Sequence, residues 1–143
     1  MNTRSVPAEQ ISVVFEYVQG KRRLDRVLDA ASTLLQRVAE EPDRDRRLEL
    51  CHSLIRRHVG ADVRLEFAGT ALGTAAEETA EAGADTDTPA CRFRFADAAG
   101  DTTGFLSARY TPDATLGLTP AEWPAAMRLL ARVTALAAGG RVV

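Results

Sequence analysis

The apolar positions near the start of the chain recur at the spacing of an α-helix. Intervals of three and four residues place four of them on one helical face: Ile11, Val14, Phe15 and Val18. Such a face favours a helix of about three turns. Gly20 can adopt the left-handed conformation that ends a helix, so the pattern predicts a short helix that stops at this glycine.

A second and longer apolar stripe follows Gly20. Its members fit one face of a second helix: Leu24, Val27, Leu28, Ala31, Leu34, Leu35 and Val38. The period is close to a heptad, although two heptads are too few to establish a coiled coil. The stripe has to be buried, either against this domain or against a second copy of the chain. For the second case we predict a homodimer interface at Leu24, Val27, Leu28, Ala31, Leu35 and Val38.

A charged break at residues 40–43 separates this stripe from a third predicted helix. Asp43 suits the N-cap of that helix, because its carboxylate can accept hydrogen bonds from the first free backbone amides. The apolar face of the third helix consists of Leu48, Cys51, Leu54, Ile55 and Val59. The period then changes to two, since Val63, Leu65 and Phe67 alternate with charged residues, and this predicts a half-buried strand.

Residues 73–90 differ in composition from the rest of the chain. They are rich in Ala, Glu, Thr and Asp and lack a lasting apolar stripe. A segment of this kind cannot bury enough apolar surface to hold one conformation, so we predict a mobile acidic loop. Leu72, just before it, is expected on a short return strand.

The second half of the chain predicts a hairpin followed by a helix. Two alternating runs, 91–96 and 104–110, flank the turn-like sequence 97–101, which is typical of an antiparallel hairpin. Thr119 and Glu122 have the spacing of a capping box. Pro124 lacks a backbone N–H, so the last helix is expected to open with a separate turn and to become regular near Pro124.

Length and charge limit the classes of protein that fit. The chain has 143 residues, of which 45% are apolar, enough for one domain with its own core. A net charge of -2 creates no field that attracts nucleic acid or an anionic membrane. No apolar run approaches the roughly 20 residues that cross a bilayer, and no secretory signal is recognised. We therefore expect a cytoplasmic protein that binds neither membrane nor nucleic acid.

The residues that usually carry catalysis or bind metals lie too far apart in this sequence. Cys51 and Cys91 are 40 residues apart without a CxxC pair. His52 and His58 would stand about 240° apart around one helix, which prevents joint metal binding. No serine-nucleophile, phosphate-loop or HExxH motif accompanies them. The sequence predicts no metal site, no cofactor and no enzymatic activity.

The order of these elements resembles that of a GAF domain, a small sensory module whose antiparallel sheet is backed by its first and last helices. The matching segments are 44–60, 61–67, the hairpin 91–110 and the helix start 118–122. A Gly-hydrophobic-Leu strand followed by a Thr-capped helix is common in that family, and Gly104-Phe105-Leu106 fits this pattern. Related PAS-like and profilin-like layouts share the same general order.

The resemblance implies an α+β fold, in which a GAF- or PAS-like antiparallel sheet is backed by helices and preceded by a helical extension. Residues 1–42 would form the extension with its dimerisation helices, and residues 43–143 the GAF-like domain. Few residues separate the second strand from the hairpin, where GAF domains carry the elements that cover a ligand cavity. The chain therefore resembles a trimmed GAF domain without an enclosed cofactor pocket.

Four arginines are predicted to share the sheet face that points away from the helices: Arg64, Arg92, Arg94 and Arg109. Strand alternation places them there, and in GAF domains this is the ligand side. Guanidinium groups offer planar paired donors for a carboxylate or phosphate, so a small-anion site is one interpretation. The other is a solvated outer face, on which Glu66 and the acidic loop balance the charge.

Two functions follow as expectations. The first is a regulatory or sensory GAF-like module of bacterial signal transduction, which dimerises through its helices and binds a small anion on the arginine face. Its bacterial origin is inferred from a composition rich in Ala, Arg, Asp and Gly with a single Lys, which is typical of high-GC coding. The alternative is a non-catalytic protein-protein interaction scaffold with a degenerate GAF fold.

Overall fold

The structure, a computed structural model, describes residues 8–59, 62–73, 89–112 and 116–143. Within these ranges the chain forms three helices and one five-stranded antiparallel sheet, so the predicted α+β class is confirmed. The helices are α1 (Ala8–Glu40), α2 (Arg44–His58) and α3 (Trp123–Ala138). The strands are β1 (Asp62–Phe67), β2 (Thr70–Leu72), β3 (Ala90–Ala96), β4 (Thr102–Arg109) and β5 (Arg141–Val142). Most of the predicted acidic loop lies outside the described residues.

The sheet has the strand order β2-β1-β4-β3-β5, which places β1 and β4 at its centre. Val63 pairs with Ala108, and Leu65 pairs with Leu106; all four side chains are buried. A slip of one residue would turn these apolar side chains to the opposite face, so the alternation in the sequence fixes the pairing. The predicted hairpin is present as β3 and β4.

Helices α2 and α3 cover the apolar face of the sheet. As predicted, Asp43 is the N-cap of α2, and its Oδ1 accepts a hydrogen bond from the Asp45 amide at 3.2 Å. Before α3, the Thr119 amide donates to Glu122 Oε1 at 2.9 Å, and the Glu122 amide donates to Thr119 Oγ1 at 3.3 Å. The capping box and the separate turn before a helix that begins at Trp123 are therefore confirmed.

Helix α1 runs through Gly20 as one helix of 33 residues, so the predicted stop at this glycine is wrong. A glycine inside a helix costs only about 1 kcal/mol relative to alanine. Good helix formers flank it: Gln19, Lys21, Arg22, Arg23 and Leu24. The first residue that cannot continue a helix is Pro42, and α1 accordingly ends at Glu40.

Helix α1 forms a third layer that packs mainly on α2 and α3. Val27, Ala31 and Leu34 are buried in this contact. Near the start of α3, the Arg23 Nε donates to Glu122 Oε1 at 2.7 Å. The second half of α1 therefore shares one core with the rest of the fold.

The side chain of Arg47, on α2, forms hydrogen bonds near the ends of α1 and α3. Its Nε donates to the Ala137 carbonyl near the end of α3 at 2.8 Å. Its Nη1 donates to the Glu41 carbonyl at 3.0 Å and to the Pro42 carbonyl at 2.8 Å, in the connection between α1 and α2. The ends of α1 and α3 thus lie together, as do Arg23 and the start of α3, so α1 and α3 run in the same direction.

Helix α1 is much longer than the helix it runs beside. At 1.5 Å per residue α1 extends about 50 Å and α3 about 24 Å. Because Arg23 already contacts the start of α3, the residues before it project beyond the body of the fold. Residues 10–18, called here the projecting part of α1, expose six apolar side chains: Ile11, Val13, Val14, Phe15, Tyr17 and Val18.

Candidate functional site

The four predicted arginines lie on one face of the sheet, and Arg92 is at the centre of the group. Ser107 of β4 pairs with Arg64 on one side and Arg92 on the other. Same-face neighbours along a strand, and diagonal neighbours across two strands, stand about 7–8 Å apart. Arg92 therefore neighbours both Arg94 and Arg109. Arg94 and Arg109 are four rows apart, at least about 13 Å, so they cannot hold the same small ion without Arg92 between them.

Two of these arginines already contact other side chains of the same face. The Arg64 Nη2 donates to Glu66 Oε1 at 2.7 Å. The guanidinium carbon of Arg92 lies 4.1 Å from the centroid of the Phe105 ring, a cation–π contact. Both contacts restrict the side-chain rotamers, so an incoming anion would meet guanidinium groups that are partly ordered before it binds.

The arginine face carries a local positive charge and is partly sheltered. Among the described residues of β1, β3 and β4, the four guanidinium groups outnumber the carboxylates of Asp62 and Glu66 on this face by two, although the whole chain has a net charge of -2. Ser107, at the centre, is only 7% exposed. The Arg109 Nε is buried and has no hydrogen-bond partner among the described residues. A carboxylate or phosphate oxygen is the kind of group that would satisfy it.

The structure divides the predicted dimer interface into two sets. Val27 and Ala31 are buried in the chain's own core, and Val38 is half-buried against it. These residues cannot face a second copy, because α2 and α3 already cover them. Leu24, Leu28 and Leu35 are exposed and stay available as interface residues.

Sequence reasoning missed two exposed residues that continue this surface, Val13 and Tyr17. At 100° per residue they fall on the same side of α1 as Leu24 and Leu28. The signal was present in their spacing, but the expected helix stop at Gly20 divided one continuous line into two unrelated helices.

A groove of about 260 Å³ opens between α1 and the start of α3. All the residues that line it are apolar except Glu122 at its rim: Gly20, Leu24, Val27, Leu118, Ala125, Ala126 and Leu129. Leu24 thus belongs both to the groove and to the exposed side of α1.

The carboxylate at the rim of the groove is held in its charged form. Desolvation acts to raise the pKa of Glu122, but hydrogen bonds from the Arg23 guanidinium and from the Thr119 amide and hydroxyl outweigh it, so the pKa lies below its ordinary value. The groove therefore keeps one negatively charged hydrogen-bond acceptor at neutral pH.

The cysteines and histidines do not form a reactive group. Burial raises the pKa of the Cys51 thiol to about 11 and that of Cys91 to about 12, which keeps both as unreactive thiols. Desolvation, followed by the charge of Arg57, lowers the pKa of His58. His52 Nε2 lies 2.9 Å from the Val63 carbonyl. Among the described residues, no group of three or more His, Cys, Asp or Glu side chains could hold a metal ion.

No helix in the described part of the chain is both long and apolar enough to cross a bilayer. Comparisons with known proteins found no matching family model, no similar curated protein and no similar solved structure.

Proposed function

We propose that the protein is a regulatory module that acts by pairing with a second copy through α1, and that it binds a small anion on the arginine face. The observation that carries the proposal is the line of apolar side chains that α1 exposes: Val13, Tyr17, Leu24, Leu28 and Leu35. Exposed apolar side chains aligned on one side of a helix mark an interaction site. The other side of the same helix is anchored in the core, so pairing would position two whole domains.

A GAF-like layout supports the regulatory assignment. Helix α2 directly precedes the first strand, α3 follows the hairpin, and both cover the same face of an antiparallel sheet. A sheet backed by the helices before and after it is also what we expect of a GAF-like module. The arginine face is then the surface on the opposite side from the helices, which is the ligand side in GAF domains.

The first prediction concerns self-association. Light scattering across a concentration series is expected to give twice the mass of the chain at high concentration. Leu28→Glu places a charge on the exposed line of α1 and is expected to weaken the dimer at least about tenfold. Val143→Glu, at an exposed apolar side chain outside α1, is the matched control and should dimerise normally. A monomer at every concentration would contradict the proposed function.

The second prediction concerns the anion. Phosphate or citrate at tenfold excess over its dissociation constant should stabilise the fold by about 1.4 kcal/mol, or roughly 3 to 6 °C in melting temperature. The double variant Arg92→Ala, Arg94→Ala is expected to lose this shift, because it removes the central guanidinium and its neighbour. The control is the double variant Arg128→Ala, Arg132→Ala, which removes two exposed arginines of α3. It should keep the anion-induced shift in melting temperature. Equal shifts in all three proteins would exclude the arginine face as the binding site.

A second candidate function is a scaffold for another protein. It is favoured by the other apolar stripe on the projecting part of α1, which lies on a different side from the pairing line: Ile11, Val14, Phe15 and Val18. This i, i+3, i+4, i+7 pattern is the one that helices present to a groove on a partner. A protein that stays monomeric in light scattering while keeping its melting temperature would favour this function over the first.

A further inference from the structure

Four of the five exposed apolar side chains on the pairing side of α1, all except Leu35, have symmetric spacing. Val13 is 64% exposed, Tyr17 72%, Leu24 56% and Leu28 50%. The intervals between them are four, seven and four residues, which keeps all of them within an arc of about 60° on the helix. Read in either direction, the series is the same, and its midpoint lies between Gly20 and Lys21.

A two-fold axis at this midpoint would bring apolar residues together on both sides. In an antiparallel pair of α1 helices, Tyr17 of one copy meets Leu24 of the other, and Val13 meets Leu28. Gly20 lies at the crossing point, where the lack of a side chain permits close approach of two backbones. Lys21 lies at the edge of the line, and its flexible stem lets the ammonium group reach solvent.

The same axis places an aromatic side chain over the groove. Leu24 forms one wall of the groove, and Leu129 of α3 forms the other. Tyr17 of the second copy, facing Leu24, is therefore next to the opening. The groove offers an apolar lining for the ring, and Glu122 at the rim offers an acceptor for the hydroxyl, a combination that suits tyrosine at interfaces.

We propose that two copies pair antiparallel along α1 about an axis between Gly20 and Lys21, with Tyr17 of each copy seated in the α1–α3 groove of the other. This rests on the proposed helix-mediated pairing and specifies its geometry. An isologous contact uses the same patch on both subunits, and this patch contains both the projecting residues and the surface that receives them. A different partner protein would need both a side chain that fits the groove and a surface that receives Tyr17.

The available area agrees with a reversible dimer. The four side chains expose roughly 500 Å² per copy, so their complete mutual burial removes about 1,000 Å² before the groove walls are included, the size of a weak or transient contact. An interface of this size favours exchange between monomer and dimer over a permanent assembly, as a regulatory contact requires.

Cysteine cross-linking tests the arrangement. Val13→Cys and Leu28→Cys are prepared as separate full-length variants, mixed so that subunits exchange, and treated with a short bis-maleimide. The antiparallel pair predicts a cross-linked dimer in the mixture and little in either variant alone. Two copies of residue 13, or of residue 28, would stand 15 residues apart along the helix axis, about 22 Å. The native thiols contribute little background because burial raises the pKa of Cys51 and Cys91.

The outcomes distinguish the antiparallel arrangement from the more general proposal that two copies pair through α1. Cross-linking of Leu28→Cys with itself, or of Leu35→Cys with itself, would show parallel helices and overturn the arrangement while leaving the proposed pairing in place. If light scattering shows a dimer but the mixture of Val13→Cys and Leu28→Cys gives no cross-linked product, the antiparallel arrangement would also be wrong while the proposed pairing stays in place. A protein that is monomeric at every concentration would contradict both the antiparallel arrangement and the proposed pairing through α1. For the groove, Tyr17→Ala should weaken the dimer about tenfold, whereas Ile11→Ala, on the other stripe, should change it less than twofold; equal effects would exclude the tyrosine anchor.

Discussion

Replacement of Gly104 by alanine is expected to destabilise the fold by about 3 to 5 kcal/mol, a large part of the stability of a small domain. Gly104 pairs with Phe67 at the centre of the sheet. A Cβ added here would lie 1.9 Å from the Glu66 carbonyl oxygen and 2.8 Å from the Phe67 Cα. Both contacts are with backbone atoms of β1, which cannot move aside without breaking the pairing of β1 with β4.

Urea denaturation followed by far-ultraviolet circular dichroism measures this effect. Gly20→Ala is the matched control, because a Cβ there would only come within 3.5 Å of the Glu122 Oε2. It should stabilise the helix by about 0.5 to 1 kcal/mol, measured at a protein concentration where the chain is monomeric. A loss below about 1 kcal/mol for Gly104→Ala would show that β1 and β4 do not approach as closely as the structure has them.

The second large effect is expected at Trp123, which is fully buried. Its Nε1 donates to the Val59 carbonyl at 3.2 Å, and its ring meets Tyr110 edge to face with centroids 6.1 Å apart. Trp123→Ala would leave a cavity and an unpaired carbonyl, and we expect a loss of about 3 to 5 kcal/mol. Trp123→Phe keeps most of the packing but not the donor, so it should lose about 1 to 2 kcal/mol.

The same denaturation assay separates these contributions. Leu136→Ala removes a large apolar side chain from the same helix, but that side chain is 67% exposed, so its effect should stay within about 0.5 kcal/mol. If Trp123→Phe costs as much as Trp123→Ala, the hydrogen bond to Val59 would be the main contribution. If neither variant differs from Leu136→Ala, the indole would not be part of the core.

The parts of the fold that the sequence predicted are those with a strong local signal. Alternation in β1 is unambiguous because Val63, Leu65 and Phe67 are each followed or preceded by a charged residue, and only one face of the sheet is buried. The Thr119–Glu122 capping box depends on two residues three positions apart. Such short-range patterns need no knowledge of the rest of the chain.

The path of α1 could not be predicted in the same way. Gly20 is compatible with both a helix stop and a helix interior, and the difference of about 1 kcal/mol is decided by tertiary contacts. Arg23 reaching Glu122, a residue 99 positions away, is one such contact. The stripe from Leu24 to Val38 indicated burial but not how its residues would divide between the core and the exposed side.

For the candidate site, alternation predicted which arginines share a face but not their partners. That Arg92 lies over Phe105 follows from the pairing of β3 with β4 in the observed register. Arg64 and Glu66 are two apart on one strand, so their contact was accessible from the sequence. The central position of Arg92 could not be predicted from the sequence, because it depends on β4 lying between β1 and β3.

The hydrogen bonds of Arg47 limit how the three helices can move relative to one another. One guanidinium holds the turn between the first two helices and the end of the third through backbone carbonyls, and charge-assisted bonds of this kind are among the stronger ones. These bonds oppose bending at the turn between α1 and α2. If two copies pair as proposed, we expect α1, α2 and α3 of each copy to move together relative to the sheet when the angle between the paired helices changes.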